Sequence, residues 1–346
     1  MFYRNLGHTD IKVSGICLGT MTWGSQNNEQ DGHDQLDYAL GEGINFIDTA
    51  EIYAVPPTAE TYGVTESIIG SYLDKTKKRN EIILASKIAG PGPNWIRNGQ
   101  GVIDRSNMLT ALEGSLKRLK TDYIDLYQLH WSNRDFYHFQ KHWKFTPKFD
   151  TEQTEANFVE VLETAAELIK QGKIRYLGLS NESAWGLSKY LDLAKQLNLP
   201  RVVSIQNEYS LVCRLFEPDL QEVALAENCG LLAWSPLARG MLSGKYLGGN
   251  MPAGSRLSLD PRPDLRSTPA CEKAITAYVA LAKKHNLDPA QMALAFVNSR
   301  PFLTANIIGA TTLDQLKSNI ASTSIELSPE VLDGIEAIRR EYPVPY

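Results

Sequence analysis

The most informative hydrophobic pattern in the chain is the short segment 44–47, Ile-Asn-Phe-Ile, which ends abruptly in polar residues. Its composition is typical of a strand buried on both faces of a parallel sheet. Asp48 follows directly, and Tyr53 lies five positions after it. In an α/β barrel the carboxyl ends of the strands carry the active site, so this acid and this phenol are candidates for one cavity. The alternative is that Asp48 caps the following turn and Tyr53 only packs on the rim.

Seven other segments have strand-like apolar patterns, and helix-like patterns separate them along the chain. With segment 44–47 as the second, the predicted strands are 15–20, 82–87, 123–130, 174–179, 202–206, 231–234 and 306–309. Apolar residues at helical spacing predict helices at 31–40, 65–73, 106–119 and through 158–169, the last ending at Gly172. Residues 2–6 and 11–14 flank a turn containing Gly7 and predict a short β-hairpin ahead of the first strand.

Eight strands alternating with helices predict a closed (β/α)8 barrel, the TIM barrel, in a single domain spanning residues 1–346 with the hairpin at 1–14. A doubly wound open sheet is the competing fold. Open sheets that bind dinucleotides usually carry Gly-x-Gly-x-x-Gly after the first strand. Here each Gly-x-Gly pair has Phe46, Trp95 or Asp104 where the third small residue belongs. The sequence therefore favours the α/β barrel.

Three segments are longer than ordinary connections: 54–62, 131–154 and 238–269. All three follow predicted strands at their carboxyl ends, where long loops often shape a binding site. The second is rich in aromatic rings: Trp131, Phe136, Tyr137, Phe139, Trp143, Phe145 and Phe149. These rings either line a pocket for aromatic or other apolar substrates or pack against one another at the barrel mouth.

Composition narrows the class of protein. The 346 residues are 43% hydrophobic and carry a net charge of -5, which provides no basic footprint for nucleic acid. The N-terminus lacks a secretion-signal pattern, and no apolar run reaches the length of a membrane span. Four cysteines without C-x-x-C spacing fit reduced thiols. We expect a soluble cytoplasmic protein without a nucleic-acid or membrane partner, and the sequence leaves its oligomeric state open.

Polar groups end three consecutive predicted strands: Asp48 with Tyr53, then Lys87, then His130. A phenol titrates near pH 10 and is therefore protonated at neutral pH. An adjacent ammonium lowers the pKa of the phenol, and a paired carboxylate keeps that ammonium charged despite burial. Tyr53 is then a proton donor tuned by Lys87 and Asp48, while His130 hydrogen-bonds and orients a carbonyl oxygen.

Each of these groups also has a structural or a metal-binding interpretation. Lys87 could be a solvated strand end and His130 a satisfied core histidine. A metal centre of a barrel hydrolase is less well supported, because no H-x-H or H-E-x-x-H pair accompanies the constellation. His138 and His142 have the spacing of one helical face, but their place in the irregular aromatic loop favours surface histidines over a metal site.

In this order the constellation resembles the aldo-keto reductase family and, within it, the bacterial Tas-like group. The matching motifs are Asp48-Thr49-Ala50 with Tyr53, Lys87 after Ala85-Ser86, Leu129-His130, Gly178-Leu179-Ser180-Asn181, Gln206-Asn207, Ser235-Pro236-Leu237 with Gly240 and Leu242, Gly244-Lys245-Tyr246, and Gly309-Ala310-Thr311. Each motif alone is weakly specific. Together they extend from the hairpin to the last helix in the order that the family has.

The resemblance implies NADPH-dependent reduction of an aldehyde or ketone to an alcohol, with Tyr53 protonating the oxygen while hydride passes from the nicotinamide. It also implies that Ser180, Asn181 and Gln206 hold the cofactor carboxamide and that a ring from Tyr209 stacks on the nicotinamide. The loop expected to wrap the pyrophosphate consists of Trp234, Ser235, Pro236, Leu237, Ala238, Arg239, Gly240, Met241, Leu242, Ser243 and Gly244. The residues expected around the adenosine end are Lys245, Arg256, Gly309, Thr311, Gln315 and Asn319.

Residue chemistry agrees with this assignment. Gly240 and Gly244 allow backbone amides to approach a phosphate, and a helix beginning after Gly309 offers N-terminal N–H groups to an anion. Lys245 and Arg256 can pair with a 2′-phosphate, which favours NADP over NAD. The alternative is that both cations are surface charges on a loop.

The family resemblance also assigns residues near the first strand. Thr20 and Met21 are expected beside the cofactor. The residues expected to contact the substrate are Trp23, Tyr53, His130 and Trp131. Met21 and Trp23 could instead only pack the barrel mouth.

One departure concerns the residues after the phenol. The family often has glycine there, whereas Tyr53 is followed by Ala-Val-Pro-Pro and the next glycine is Gly63. This insertion is expected to alter the pocket rim and leaves the substrate open. A second class of function is a cofactor-binding regulator, because some relatives on this fold bind NADPH and act mainly through a partner protein. The complete set of four catalytic groups favours an enzyme.

Overall fold

The computed structural model describes residues 1–260 and 264–346, and in these residues eight parallel strands close into a barrel preceded by a hairpin. The hairpin strands are β1 (Tyr3–Asn5) and β2 (Lys12–Ser14). The barrel strands are β3 (Ile16–Gly19), β4 (Phe46–Asp48), β5 (Ile83–Ile88), β6 (Ile124–Leu129), β7 (Ile174–Ser180), β8 (Ser204–Glu208), β9 (Gly230–Trp234) and β10 (Leu303–Ile308). The predicted (β/α)8 barrel with an N-terminal hairpin is confirmed.

Helices cover the outside of the barrel. They are α1 (Glu29–Gly41), α2 (Val64–Thr76), α3 (Arg105–Leu119), α4 (Thr151–Lys170), α5 (Ala184–Leu197), α6 (Asp219–Ala226), α7 (Arg256–Leu259), α8 (Pro269–Lys284), α9 (Pro289–Asn298), α10 (Leu313–Ala321) and α11 (Pro329–Glu341). In the described part of the chain, none of them combines the length and the apolar character needed to cross a membrane.

Helix α3 illustrates how the sequence specifies these elements. The Asp104 side chain accepts a hydrogen bond from the Asn107 amide and satisfies a free donor at the helix start. The residues that α3 buries follow helical spacing: Met108, Ala111, Leu112, Ser115, Leu116 and Leu119. Lys120 then adopts a left-handed conformation with φ 50° and ends the helix. The predicted helix 106–119 is thus present and begins one residue earlier.

An apolar cluster separate from the helix-packing core fills the barrel interior. It takes residues from most barrel strands and two from the hairpin: Leu6, Val13, Cys17, Phe46, Ala85, Leu126, Val203, Leu232, Ala305 and Ile307. Because strand side chains alternate with period two, the next inward position is Asp48 on β4, Lys87 on β5 and Gln128 on β6. A buried polar layer therefore follows the apolar layer on the side of the carboxyl ends of the strands.

The long loops differ slightly from their predicted bounds. The loop after β6 ends at Asp150 instead of residue 154, because Asp150 caps α4 by accepting a hydrogen bond from the Gln153 amide. The segment 238–269 is partly ordered into helical turns at Ala238–Ser243 and in α7. Its residues 261–263 lie outside the described residues.

Candidate active site

The polar layer is centred on a buried ion pair. Lys87 is fully buried, and its Nζ donates to Asp48 Oδ2 at 2.6 Å and to the Thr49 carbonyl at 2.8 Å. Burial lowers the pKa of Lys87, but Asp48 and then Tyr53 raise it, and the net direction is upward. The predicted pairing of Lys87 with Asp48 is present, and the ammonium stays charged at neutral pH.

Tyr53 lies beside this ammonium. Lys87 Nζ is 5.0 Å from the centroid of the phenol ring. Burial raises the pKa of Tyr53 above its ordinary value of 10.0, while the charge of Lys87 opposes that rise. Lys87 thus acts in the predicted direction, but burial outweighs it. Tyr53 is a phenol, not a phenolate, throughout the neutral range, as a proton donor needs to be.

His130 completes the group. Its ring centroid is 5.7 Å from that of Tyr53 and 4.8 Å from that of Trp131. Burial and the charge of Lys87 hold the pKa of His130 well below 6.5, so the imidazole is neutral. Its Nδ1 is buried and has no hydrogen-bond partner in residues 1–260 and 264–346. A neutral imidazole carries one N–H, which can be donated to a carbonyl oxygen.

Gln128 belongs to the same layer, although the sequence analysis did not identify it. It is fully buried, and its Nε2 donates to Asp48 Oδ1 at 3.1 Å. The available signal was a carboxamide within an otherwise apolar strand, two residues before His130 and hence on the same face.

A second buried carboxylate fixes the insertion that follows Tyr53. Glu51 is fully buried and accepts hydrogen bonds from the Tyr62 hydroxyl at 2.5 Å, the Ala89 amide at 2.6 Å and Arg97 Nη1 at 2.9 Å. The end of this rim segment at Tyr62 is therefore tied through Glu51 to the residue that follows β5, Ala89.

The expected carboxamide site lies next to this layer. Asn181 Nδ2 donates to the His130 carbonyl at 2.9 Å and to Ser180 Oγ at 3.1 Å, while Ser180 Oγ donates to the Gln206 carbonyl at 2.9 Å. Asn181 Oδ1 is buried without a hydrogen-bond partner among the described residues. A buried acceptor without a partner fits a ligand that brings an N–H group, such as a carboxamide.

Gln206 is more closely tied to the buried polar layer than the resemblance implied. Its Nε2 donates to Asp48 Oδ1 at 2.9 Å and to Gln128 Oε1 at 3.0 Å. Both N–H groups are thereby used within the protein. Of this side-chain amide, only the oxygen Oε1 is left to accept a hydrogen bond from a cofactor.

The loop expected to wrap the pyrophosphate has a tightly turned backbone. Gly240 and Gly244 have φ of 88° and 81°, values that favour glycine, and Ala238 and Arg239 are also left-handed. The guanidinium of Arg239 pairs with Asp260 and, at 2.9 Å, with Asp264. Arg239 is thus engaged by carboxylates, and the loop offers backbone amides rather than this charge. Other members of the loop lie as follows: Ala238, Met241 and Leu242 are buried, and Trp234, Ser235, Leu237 and Ser243 are half-buried.

The residues expected at the adenosine end fall into two groups. Thr311 donates to Gln315 Oε1 from its amide at 3.0 Å, and Asn319 Nδ2 donates to the Gly309 carbonyl at 3.2 Å. Lys245 Nζ lies 5.1 Å from the Tyr246 ring. Burial raises the pKa of Tyr53 overall, and the charge of Arg256 is among the smaller influences that oppose that rise.

Two predicted contacts are wrong. Trp23 is fully buried and donates its indole N–H to Gln35 Oε1 at 3.3 Å, so it packs the fold and does not line the substrate pocket. Tyr209 is also fully buried, with its hydroxyl on Glu217 and its ring centroid 5.3 Å from that of Phe302. No ring face of Tyr209 remains for a nicotinamide.

Strand alternation explains the error at Tyr209. Gln206 on β8 faces the barrel interior, and Tyr209 is an odd number of positions away, on the outer side. On β9, Trp234 is two positions after the interior residue Leu232 and is half-buried. Trp234 is therefore the ring that the barrel places at its mouth on this side.

Thr20 and Met21 hold the rim together through their own contacts. The Thr20 hydroxyl is buried and donates to the Asp48 carbonyl at 2.9 Å. The Met21 carbonyl accepts from the Val55 amide at 2.8 Å, which joins the first strand end to the insertion.

A chain of aromatic side chains runs from Trp131, beside His130, through Phe139 to Trp234. The ring centroid of Phe139 is 6.2 Å from that of Trp131 and 5.7 Å from that of Trp234. Phe139 is 42% exposed, and the two tryptophans are half-buried. These three residues, which we call the ring wall, are available to a ligand at the barrel mouth.

No group of three or more His, Cys, Asp or Glu side chains among residues 1–260 and 264–346 is arranged to hold a metal. His138 is not a surface residue as expected: it is buried against the Glu182 carbonyl at 3.1 Å, and burial lowers its pKa to about 4. His142 contacts a different part of the chain, the Tyr346 carbonyl, at 2.9 Å.

Comparison with known proteins agrees with this geometry. The model of the Aldo/keto reductase family matches residues 15–340. Protein tas of Escherichia coli (strain K12) is 48% identical over 350 residues, which cover 100% of this chain and 99% of that protein. The uncharacterized oxidoreductase YrpG of Bacillus subtilis (strain 168) is 36% identical over 339 residues, 96% of this chain and 94% of that protein.

A probable voltage-gated potassium channel subunit beta of Oryza sativa subsp. japonica is 30% identical over 353 residues, 99% of this chain and 98% of that protein. The resemblance drawn from the motifs, including the likeness to Tas, is confirmed by these matches. The chain belongs to the aldo/keto reductase family.

Proposed function

We propose that this oxidoreductase of the aldo/keto reductase family reduces aldehydes or ketones to alcohols with NADPH, and that Tyr53 is the proton donor. The observation that carries the proposal is the buried Lys87–Asp48 pair beside a protonated Tyr53 and a neutral His130. An acid, a cation and a neutral N–H donor at one barrel mouth are the groups that carbonyl reduction requires.

Bound NADPH would supply the hydride. Tyr53 gives its proton to the carbonyl oxygen, and the ammonium of Lys87 stabilises the phenolate that remains. Asp48 keeps Lys87 charged in its buried position. His130 donates an N–H to the carbonyl oxygen and orients it.

The residues around Asn181 support a nicotinamide cofactor. The unpaired Asn181 Oδ1 and the side-chain carbonyl oxygen of Gln206 can accept the N–H groups of a carboxamide; Ser180 Oγ supports Asn181, and Asp48 with Gln128 holds the Gln206 amide. Trp234 replaces Tyr209 as the ring expected beside the nicotinamide. The backbone of loop 235–244 would bind the pyrophosphate, and Lys245, with Arg256, would favour the 2′-phosphate of NADP.

The ring wall supports an aromatic or otherwise apolar carbonyl substrate, because aromatic side chains can cover apolar groups without removing polar groups from water. The four cysteines among the described residues are free and buried, which suits the reducing cytoplasm as the place of action.

Replacing Tyr53 by phenylalanine tests the proposal. The variant keeps the ring but loses the proton, so NADPH affinity should stay within about twofold while carbonyl reduction falls by about three orders of magnitude or more. Fluorescence titration with NADPH and steady-state rates with an aromatic aldehyde measure the two quantities. Undiminished reduction by Tyr53→Phe would remove this residue from the proposed role.

The second candidate is a NADP(H)-binding regulator or redox sensor with slow turnover. The observation that favours this candidate is that one relative is named as a probable voltage-gated potassium channel subunit beta. The complete set of Asp48, Tyr53, Lys87 and His130 favours the enzyme. Stopped-flow oxidation of bound NADPH by a panel of carbonyls separates them: fast multiple turnovers support the enzyme, and one slow hydride transfer with every carbonyl supports the regulator.

A further inference from the structure

Gln128 connects two parts of the site that the proposed function treats separately. Its Nε2 donates to Asp48 Oδ1 at 3.1 Å, and its Oε1 accepts from Gln206 Nε2 at 3.0 Å. Asp48 holds the ammonium beside Tyr53, and Gln206 belongs to the expected carboxamide site. One buried side chain therefore contacts both.

The orientation of the two amides follows from their shared partner. A carboxylate only accepts hydrogen bonds, so Gln128 and Gln206 must both present NH₂ groups to Asp48 Oδ1. The second N–H of Gln206 then goes to Gln128 Oε1. The Gln206 carbonyl oxygen is consequently the part of this amide left for a ligand.

The barrel also provides the space that Gln128 occupies. Gly178 on β7 is its register partner, and a Cβ at that position would lie 3.2 Å from Gln128 Cγ and 2.7 Å from Ser204 Oγ. A larger residue at position 178 would clash with Ser204 and displace the Gln128 side chain. The GLSN motif thus begins with the residue that leaves room for Gln128.

We propose that Gln128 is a positioning residue that couples the Asp48–Lys87 pair to the carboxamide site by fixing Asp48 on one side and the orientation of Gln206 on the other. This inference rests on the proposed function. Loss of the Gln128 side chain should therefore reduce the preference of the protein for a cofactor with a carboxamide over one whose ring substituent has no N–H donor.

The first experiment uses Gln128→Met, which keeps length and removes both hydrogen bonds. Dissociation constants are measured for NADPH and for its 3-acetylpyridine analogue, which lacks the amide NH₂. We expect the wild type to bind NADPH about fivefold or more tightly than the analogue. Gln128→Met should reduce that preference to below about twofold and lower kcat by about 10- to 100-fold.

The second experiment uses Gln128→Glu as a conditional rescue. A protonated carboxyl can donate to Asp48 and accept from Gln206 as the amide does, whereas an ionised one repels Asp48. Reduction by this variant should approach the wild-type rate at acidic pH and fall as pH rises, with an inflection that the wild type lacks. A space-filling role would instead leave Gln128→Met as active as the wild type, because methionine fills the same space.

Thr164→Val is the matched control. Thr164 is buried in α4 and donates to the Glu160 carbonyl at 2.7 Å, outside the barrel interior. Loss of that hydrogen bond should leave the cofactor preference and the pH profile unchanged.

An unchanged cofactor preference and kcat in Gln128→Met would overturn the inference, whatever the pH profile of Gln128→Glu. A wild type that binds neither nucleotide would instead contradict the proposed function itself.

Discussion

On the side of the barrel mouth formed by β4, β5 and β6, Lys87 and Gln128 are joined by hydrogen bonds through Asp48. On the side formed by β7 and β9, Asn181 Oδ1 and Trp234 Nε1 are buried without hydrogen-bond partners among the described residues. Buried polar atoms are usually paired, so these two atoms at the barrel mouth are candidates for pairing with a ligand. The protein itself satisfies the Asp48–Lys87 pair on the first side, although His130 Nδ1 beside it is unpaired, and the second side has bonding capacity left for a ligand.

The two sides also differ in how they use charge. The proposed catalytic side contains a buried ammonium and a buried carboxylate, whose mutual pairing offsets part of the cost of removing them from water. On the proposed cofactor side, the cation Arg239 is paired with Asp260 and Asp264, and the glycines would let backbone amides face an anion. Substitutions on the first side should therefore affect stability and chemistry together, and those on the second should affect mainly nucleotide affinity.

The largest expected effect comes from breaking the ion pair. Lys87→Met leaves Asp48 buried without its cation and should cost about 3–5 kcal/mol of unfolding free energy, together with nearly all carbonyl reduction. Urea unfolding and steady-state rates measure both. The double variant Lys87→Met with Asp48→Asn should recover stability without activity. Full activity in the single variant would contradict the assigned role of the ammonium.

The pH dependence of the wild type distinguishes the titrating groups. The pKa of Tyr53 is raised above 10.0, so the proton donor stays in its acid form through the neutral range. Reduction should be constant from roughly pH 7 to 9 and decline only as pH rises past the raised pKa, while the reverse oxidation, which needs the phenolate, should increase there.

The same profile tests His130. Because its pKa is held well below 6.5, no inflection should appear near that value. Rates at constant ionic strength with a non-ionisable ketone provide the profile. An acidic limb centred near pH 6.5 would show instead that His130 titrates as an ordinary imidazole.

A smaller effect is expected on the cofactor side. Asn181→Ala removes the unpaired acceptor and should weaken NADPH binding by about 10-fold, and loss of its hydrogen bonds to His130 and Ser180 should cost about 1–3 kcal/mol of unfolding free energy. Asn198→Ala is the matched control, because Asn198 has φ of 53°, close to the 52° of Asn181, but ends α5 at the surface. Equal loss of NADPH affinity in both variants would refute the assignment of Asn181.

The smallest kinetic effect should come from Trp23. Its burial predicts that Trp23→Phe lowers unfolding free energy by about 1–2 kcal/mol and leaves the KM for an aromatic aldehyde unchanged. Trp131→Phe, within the ring wall, should change that KM by about threefold or more. A KM raised in Trp23→Phe but not in Trp131→Phe would show that Trp23, and not Trp131, contacts the substrate.

Strand ends were the part of the site most accessible to sequence reasoning. Asp48, Lys87 and His130 each follow an apolar run, and parallel strands bring such positions together at one end of a barrel. The fold followed from the same alternation of strands and helices. These predictions depend only on local pattern and on a closed topology.

Side-chain direction near the strand ends was less accessible. Tyr209 lies outside the regular part of β8 and turns to the helix layer, and Trp23 packs against α1, where its indole N–H donates to Gln35, instead of facing the mouth. Gln128 was missed because an amide within a strand has no motif of its own. The balance at Tyr53, where burial exceeds the effect of Lys87, depends on the depth of the phenol, which no sequence spacing encodes.

The most direct test of the account follows the hydride itself. NADPH deuterated at the transferred position of the nicotinamide is mixed with an aromatic aldehyde, and the alcohol is analysed by mass spectrometry. The account predicts deuterium on the carbinol carbon with the wild type over many turnovers, and almost none with Tyr53→Phe despite bound NADPH. Absence of label from the product with every carbonyl tried, or equal labelling by Tyr53→Phe, would contradict it.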